Sequence, residues 1–290
     1  MFVSFVYGQT GGNICLKLLK IWSGNISWIM DLNLRGKRAI VCGSTQGIGK
    51  ASAIELALLG ASVTLIARNE NVLREVVTEL NEIGAYDHNY LLADFNFPDK
   101  LKEIIGNFTV SNTVEILVNN TGGPPAGLAI DATPDEYVNA FRSHLLCNQI
   151  LSQATVPGMK EKKYGRIINI ISTSVKTPIK GLGVSNTIRG AVANWAKTLS
   201  VELGPFGITV NNVLPGATMT QRLLSVLKEK SDQTGRRIED LKQEMIADIP
   251  AGRISDAHEV AAAVAFLASP AAGYINGINV PVDGGRTKSL

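Results

Sequence analysis

Val41-Cys42-Gly43-Ser44-Thr45-Gln46-Gly47-Ile48-Gly49 decides how this chain is read. An apolar run, Arg38–Val41, enters three glycines. A helical pattern follows at Lys50-Ala-Ser-Ala-Ile-Glu-Leu-Ala-Leu-Leu59. Strand, tight turn and helix N-terminus are therefore expected in that order. Glycine lets the backbone turn sharply and lets a phosphate approach bare N–H groups, and the helix dipole favours its negative charge. The spacing, Gly-x-x-x-Gly-x-Gly, differs from the Gly-x-Gly-x-x-Gly dinucleotide fingerprint. An ordinary strand-to-helix junction has the same look, so the meaning of the loop depends on its surroundings.

Outward from the loop, strands and helices alternate. Short apolar runs at 62–66, 90–92, 114–119, 166–171, 208–213 and 278–282 predict six more strands. Helical spacing lies between them, at 69–83 and 99–107, from Thr133 to about Lys160, and at 184–203. Thr133-Pro-Asp-Glu136 is a helix start: a hydroxyl N-cap, Pro at N1 and Glu at N3. A polar helical insertion follows at 220–247, and a last helix begins near Ser255. Buried apolar strands separated by helices predict an α/β, Rossmann-type doubly wound parallel seven-stranded sheet in a single domain. Ligands are then expected at the carboxyl ends of the strands. The segment from about 219 to 247 emerges from such an end, as a lid or as an ordinary surface helix pair.

Composition narrows the partners. The chain has 290 residues, 45% hydrophobic and 18% charged, with a formal net charge of +3. That charge, without a basic stripe, argues against nucleic acid and against an anionic membrane surface. Cys15, Cys42 and Cys147 have no metal-like spacing, and the three histidines are scattered, so no metal site is expected. Cys42 and Cys147 read as reduced core thiols, which suits the cytoplasm. Residues 1–29 differ from the rest: an apolar start without a basic region before it, broken by Gly11, Gly12 and Lys17–Lys20. The stretch is a poor signal peptide and too short for a membrane span. It reads as an N-terminal extension, or as the result of an upstream start with Met30 as the native one; the domain proper is 30–290.

From about Asp31 to Gly285 the chain resembles the short-chain dehydrogenase/reductase family, especially its 3-oxoacyl-carrier-protein reductase-like branch. The resemblance rests on the glycine loop, on Asn119-Asn-Thr-Gly122 and on Gly165-Arg-Ile-Ile-Asn-Ile-Ile-Ser172. Gly207-Ile-Thr-Val-Asn-Asn-Val-Leu-Pro-Gly216 and Tyr274-Ile-Asn-Gly-Ile-Asn-Val-Pro-Val-Asp-Gly-Gly285 complete it. It implies an NAD(P)-dependent oxidoreductase acting on a small carbonyl or alcohol substrate, and a homodimer or homotetramer paired through the two long helices and the segment from Tyr274. It also implies a cofactor held by Gly43, Ser44, Thr45, Gln46, Gly47, Ile48 and Gly49, with Asp94 and Phe95 at the adenine and Asn120, Thr121 and Gly122 on the adenosine side. Pro215, Gly216, Thr218 and Thr220 would meet the nicotinamide amide and phosphates. Charge speaks to cofactor choice. Arg68, at the end of the second strand and without an acidic residue before it, suits a 2′-phosphate, so NADP(H) is preferred while NAD(H) stays admissible. A surface Arg without a ligand is the plainer reading of the same residue.

The resemblance breaks at the chemistry. The family pairs Tyr-x-x-x-Lys on one helix face with an Asn and a Ser. Here Ser172 is kept, Ser185 stands for the Tyr, Arg189 for the Lys and His144 for the Asn. An aliphatic hydroxyl is a far weaker acid than a phenol. Arg189 keeps a charge and can hold ribose hydroxyls but cannot shuttle protons. His144 could supply the proton through Ser185 or water, or could be a satisfied core histidine with Asn148 as its partner. Three functions follow: a reductase with a rearranged proton donor, an inactive nucleotide-binding relative, or a non-redox lyase or isomerase.

Overall fold

The computed structural model describes residues 30–84 and 86–289. The chain runs β1 (Arg38–Cys42), α1 (Gly47–Leu58), β2 (Ser62–Ala67), α2 (Glu70–Ile83), β3 (Asn89–Leu92), α3 (Pro98–Ser111) and β4 (Ile116–Asn119). It continues with α4 (Pro134–Phe141), α5 (Cys147–Lys162), β5 (Gly165–Ile170), α6 (Gly183–Leu203) and β6 (Ile208–Pro215). Then come α7 (Gln221–Thr234), α8 (Ile238–Ala247), α9 (Ala257–Ala268) and β7 (Asn279–Val282). All seven strands form one parallel sheet in the order β3-β2-β1-β4-β5-β6-β7. Residues Leu32–Leu290 make one compact unit. The expectations for residues 1–29 lie outside the described residues.

The sheet is covered on both faces, which is why its strands are apolar runs rather than alternating ones. One face packs Val41, Ile116 and Val213 against Leu56 of α1, Leu73 of α2 and Val264 of α9. The other packs Ile40, Leu117 and Ile167 against Leu101 of α3, Leu151 of α5 and Ala196 of α6. β4, β5 and nearly all of β6 are buried, while β3 and β7 at the edges are half-buried. Strand order reverses between β1 and β4, so the ligand crevice of such a sheet lies beyond their carboxyl ends. Both the glycine loop and the segment after Asn119 emerge there.

Four asparagines form one rung across the sheet. Asn119 Nδ2 donates to Asn169 Oδ1 at 2.9 Å, Asn169 Nδ2 to Asn212 Oδ1 at 2.9 Å, and Asn212 Nδ2 to Asn279 Oδ1 at 2.8 Å. The four are directly in register on β4, β5, β6 and β7. Asn119, Asn169 and Asn212 are buried, so their amides need one another as partners.

One local reading needs correction, and two are made more specific. The helix expected to run unbroken from Thr133 to Lys160 begins as read, with the Thr133–Glu136 capping box, but is interrupted by a π turn at Arg142–Leu146. His144 lies in this turn and is buried, 2% exposed. The insertion at 220–247 is the helix pair that is one of its expected forms, with Gly235 at φ 69° closing the first helix. The last helix begins near Ser255 as expected, with Asp256 as its N-cap in a capping box with Glu259.

Candidate cofactor and substrate site

Gly43 and Gly47 both have φ 56°, the left-handed region that only glycine enters cheaply. Gly49 is required by space: a β-carbon there would sit 2.2 Å from the Gly43 carbonyl oxygen. The loop is clamped by Asn120, whose Nδ2 donates to the carbonyls of Cys42 and Gly43 at 3.3 and 3.2 Å. Asn120 thus spends its amide on the shape of the loop. α1 has no acidic residue in its first turn, and its cap residue Gln46 makes no side-chain capping bond. Its first N–H groups are therefore left for a ligand, the arrangement a phosphate needs.

The other residues of the glycine loop divide by environment. Ser44 is fully buried, with its hydroxyl directed at the Ile66 carbonyl 3.5 Å away, so it can offer a ligand only its backbone. Ile48 packs into the core, Thr45 is half-buried and Gln46 exposed. Gly47 faces Thr220: a β-carbon on it would lie 3.1 Å from the Thr220 methyl. This brings the start of α7 against the glycine loop. Thr220 caps α7 by accepting from Leu223 N, and Thr218 is buried, bonded to Ser255 Oγ at 3.0 Å. Pro215-Gly216 is pressed on the Asp283 turn, where a β-carbon on Gly216 would meet the Asp283 Cα at 2.7 Å.

At the end of β2, Arg68 is exposed and makes no ion pair among the described residues. Asp94 Oδ1 accepts from Asn96 N at 2.9 Å, and Phe95 packs into the core beside α3 and α5. The Phe95 carbonyl accepts from Cys147 Sγ at 3.4 Å. Cys42 and Cys147 are free and buried, and burial, then the charge of Asp94, pushes the Cys147 thiol up to about 12.

Below the crevice, Arg189 joins three elements. Its Nη1 donates to the Ile170 carbonyl at 3.1 Å and its Nη2 to the Thr121 carbonyl at 3.5 Å. It is 8% exposed and has no carboxylate partner among the described residues. Burial, and then the like charge of Arg222, pushes its pKa down to about 10, which leaves it a cation at neutral pH. His144 Nδ1 is hydrogen-bonded to Thr121 Oγ1 rather than to Asn148, whose Oδ1 has no partner among the described residues. Burial, then the Arg189 charge, pushes the His144 pKa down to about 2, so its ring is neutral. Ser172 Oγ accepts from Ser174 N at 3.1 Å, which leaves its O–H to donate. Ser185 is half-buried in the first turn of α6, which packs on the turn after Ser172 and on the π turn.

Two members of the site were not anticipated from sequence: the Thr121 hydroxyl as the partner of His144, and Arg222. Arg222 Nη2 donates to the Pro124 carbonyl at 2.6 Å and so crosses from α7 to the loop after β4. Its only sequence signal was a cation in the first turn of the helical insertion.

A protein-family model described as enoyl-(acyl carrier protein) reductase matches residues 43–287. The 3-oxoacyl-(acyl-carrier-protein) reductase FabG of Haemophilus influenzae is 33% identical over 252 residues, which cover 87% of this chain and 98% of the relative. A tropinone reductase homolog of Arabidopsis thaliana is 33% identical over 257 residues, 88% of this chain and 91% of the relative. Among solved structures, L-sorbose reductase from Gluconobacter frateurii, complexed with NADPH and L-sorbose, superposes with a TM-score of 0.84 at 28% identity. The match covers 90% of this chain and 100% of that one. YwfH, an NADPH-dependent reductase involved in bacilysin biosynthesis, gives 0.82 at 27% identity, over 88% and 99% of the two chains.

Proposed function

The chain belongs to the short-chain dehydrogenase/reductase family, and on that premise we propose that it is an NADP(H)-dependent carbonyl reductase, an alcohol dehydrogenase in reverse, with a rearranged donor at the substrate oxygen. The single observation behind this reading is the glycine loop clamped by Asn120 against an uncapped helix N-terminus, a cradle fitted to a dinucleotide phosphate. Two of its neighbours in structure are complexed with NADPH or NADP. Arg68 supplies the cation that a 2′-phosphate needs.

When bound, NADPH supplies hydride to the carbonyl carbon. The chain's own residues act on the oxygen. Ser172 donates its O–H to it. The His144–Thr121 pair extends a second donor line, from Nδ1–H to Thr121 Oγ1 and from the Thr121 O–H to the carbonyl oxygen. A neutral imidazole polarises a carbonyl without itself being an acid at neutral pH. Ser185 leaves room where a phenol would stand, so water delivers the final proton. Arg189 stays charged beneath the site and holds the loop through the Thr121 carbonyl. We further place the protein in the cytoplasm as a homodimer or homotetramer. Its exposed apolar residues Val138, Phe141 and Leu146, beside a groove of about 420 Å³ that Tyr137 and Ile188 help to line, support pairing through α4 and α6.

The test is fluorescence titration with NADPH and NADH, followed by turnover of ketones, 3-oxoacyl thioesters and quinones. Binding of NADPH with turnover of a ketone supports the reading; absence of binding sinks it. A second reading, an inactive nucleotide-binding relative, draws on the way Arg189 is turned onto backbone carbonyls. Tight NADPH binding with no turnover on any substrate would select it.

A further inference from the structure

The loop that leaves β4 passes between two guanidinium groups. Arg189 donates to the Thr121 carbonyl from below, and Arg222 donates to the Pro124 carbonyl from the lid side. Only four residues, Thr121-Gly122-Gly123-Pro124, join these contacts, so the two carbonyls lie within about 10 Å of each other. The two central positions have no side chains. A β-carbon on Gly122 would meet nothing within 4 Å, and the nearest atoms to one on Gly123 belong to the Arg222 guanidinium, at 3.6 Å. Two cations thus flank an open slot at the mouth of the crevice. No carboxylate pairs with either among the described residues.

Like charges placed together are unfavourable, and a buried cation without an anion is costly. Burial, and then the charge of Arg222, lowers the proton affinity of Arg189. An anion in the slot would relieve both costs, and a guanidinium fork matches a carboxylate in two parallel hydrogen bonds. The slot borders Thr121, whose hydroxyl the reductase reading aims at the substrate oxygen. An anion held there would sit a few bonds from the reacting carbonyl.

We propose that Arg222, with Arg189 beneath it, selects oxo-acid substrates, in which a carboxylate lies beside the carbonyl to be reduced. The inference rests on the reductase reading for its reaction, but the anion slot can be tested by binding alone. The protein saturated with NADP⁺ is titrated by calorimetry with pyruvate and acetoacetate and with their methyl esters, in wild type and in Arg222→Gln and Arg222→Lys. Thermal melts confirm folding. Turnover of the same four compounds is followed by NADPH absorbance.

The expected result is that at least one acid binds tenfold or more tightly than its ester. In Arg222→Gln that ratio collapses toward one, and Arg222→Lys restores part of it. Equal binding of acid and ester overturns the proposal, as does an acid-to-ester ratio that Arg222→Gln leaves intact. A loss in Arg222→Gln that appears in NADPH affinity instead assigns Arg222 to the cofactor's phosphates and also overturns it. Acid-selective binding without turnover upholds the slot while removing the reductase reading. Ester turnover without acid selectivity does the reverse.

Discussion

The Thr121 hydroxyl and His144 Nδ1 are hydrogen-bonded, tying the loop after β4 to the π turn between α4 and α5. The bond accounts for His144 without any charge on it. A ring held neutral down to about pH 2 gives the folded state fewer bound protons than the unfolded chain, where histidine titrates near 6.5. Stability from this group is therefore complete above pH 6.5 and is lost as pH falls below it, by up to about 1.4 kcal/mol per pH unit. Thermal melts between pH 7.5 and 4.5 are expected to show the slope in wild type and a flatter one in His144→Asn. His88, whose pKa is also lowered by burial, titrates in both proteins, so the difference belongs to His144. In the same series kcat should show no ionisation near 6.5. A limb there that vanishes in His144→Asn would make His144 a charged acid.

Gly49→Ala is expected to damage the nucleotide loop directly. The new β-carbon meets the Gly43 carbonyl, which Asn120 holds in place. Overpacking of this kind costs about 1–3 kcal/mol. NADPH affinity should fall at least about tenfold by fluorescence titration. An unchanged Kd would mean that the cofactor is not seated on this loop.

Arg68→Glu tests the origin of cofactor preference. A charge-assisted contact to the 2′-phosphate of about 1.5–3 kcal/mol predicts a loss of NADPH affinity of roughly 10- to 100-fold. NADH, which lacks that phosphate, should bind as well or better. Parallel losses for both cofactors would show that Arg68 shapes the site without reading the phosphate.

Ser185→Tyr combined with Arg189→Lys rebuilds the phenol–ammonium pair at i, i+4 on α6. A positioned general acid contributes about 10²–10⁴-fold, so kcat for a neutral ketone should rise by about two orders of magnitude. If the double variant folds, binds NADPH and gains nothing, the crevice has lost more than its proton donor.

Asn169→Leu removes the second member of the asparagine rung and strands Asn119 Nδ2 and Asn212 Oδ1 in the core. Unpaired buried polar groups cost about 1–3 kcal/mol each. Denaturant melts should show a loss of at least about 2 kcal/mol with an unchanged m-value. A smaller loss would mean that water reaches the rung.

Much of this fold was legible because apolar runs and caps are local. Thr133 and Glu136 make the capping box that their spacing implies, and all seven strands appear where β-branched and apolar runs lie. Contacts that depend on distant residues were not legible. The π turn packs on α6 and has no marker in Phe141-Arg-Ser-His-Leu145. His144 and Asn148 stand four apart, a pairing that a regular helix would favour, yet the irregular turn gives His144 to Thr121, 23 positions earlier in the chain. Arg222 reads as one more charge on a polar helix until the fold brings it to Pro124, 98 residues away.

The reversal of strand order between β1 and β4 has a consequence for how the protein comes to fold. β1 and β2 are joined by a short crossover, whereas Arg38 N finds the Glu115 carboxylate only 77 residues later, beside the first rung of the β1–β4 pair. Closing so long a loop is the slow step in assembling a parallel sheet. The crevice for the dinucleotide is the junction that this closure creates, and neither half of the chain contains it alone. A nascent chain released before β4 carries the glycine loop but no Asn120 to hold it shut. Cofactor added during refolding should therefore shift the final equilibrium while leaving the earliest kinetic phase untouched.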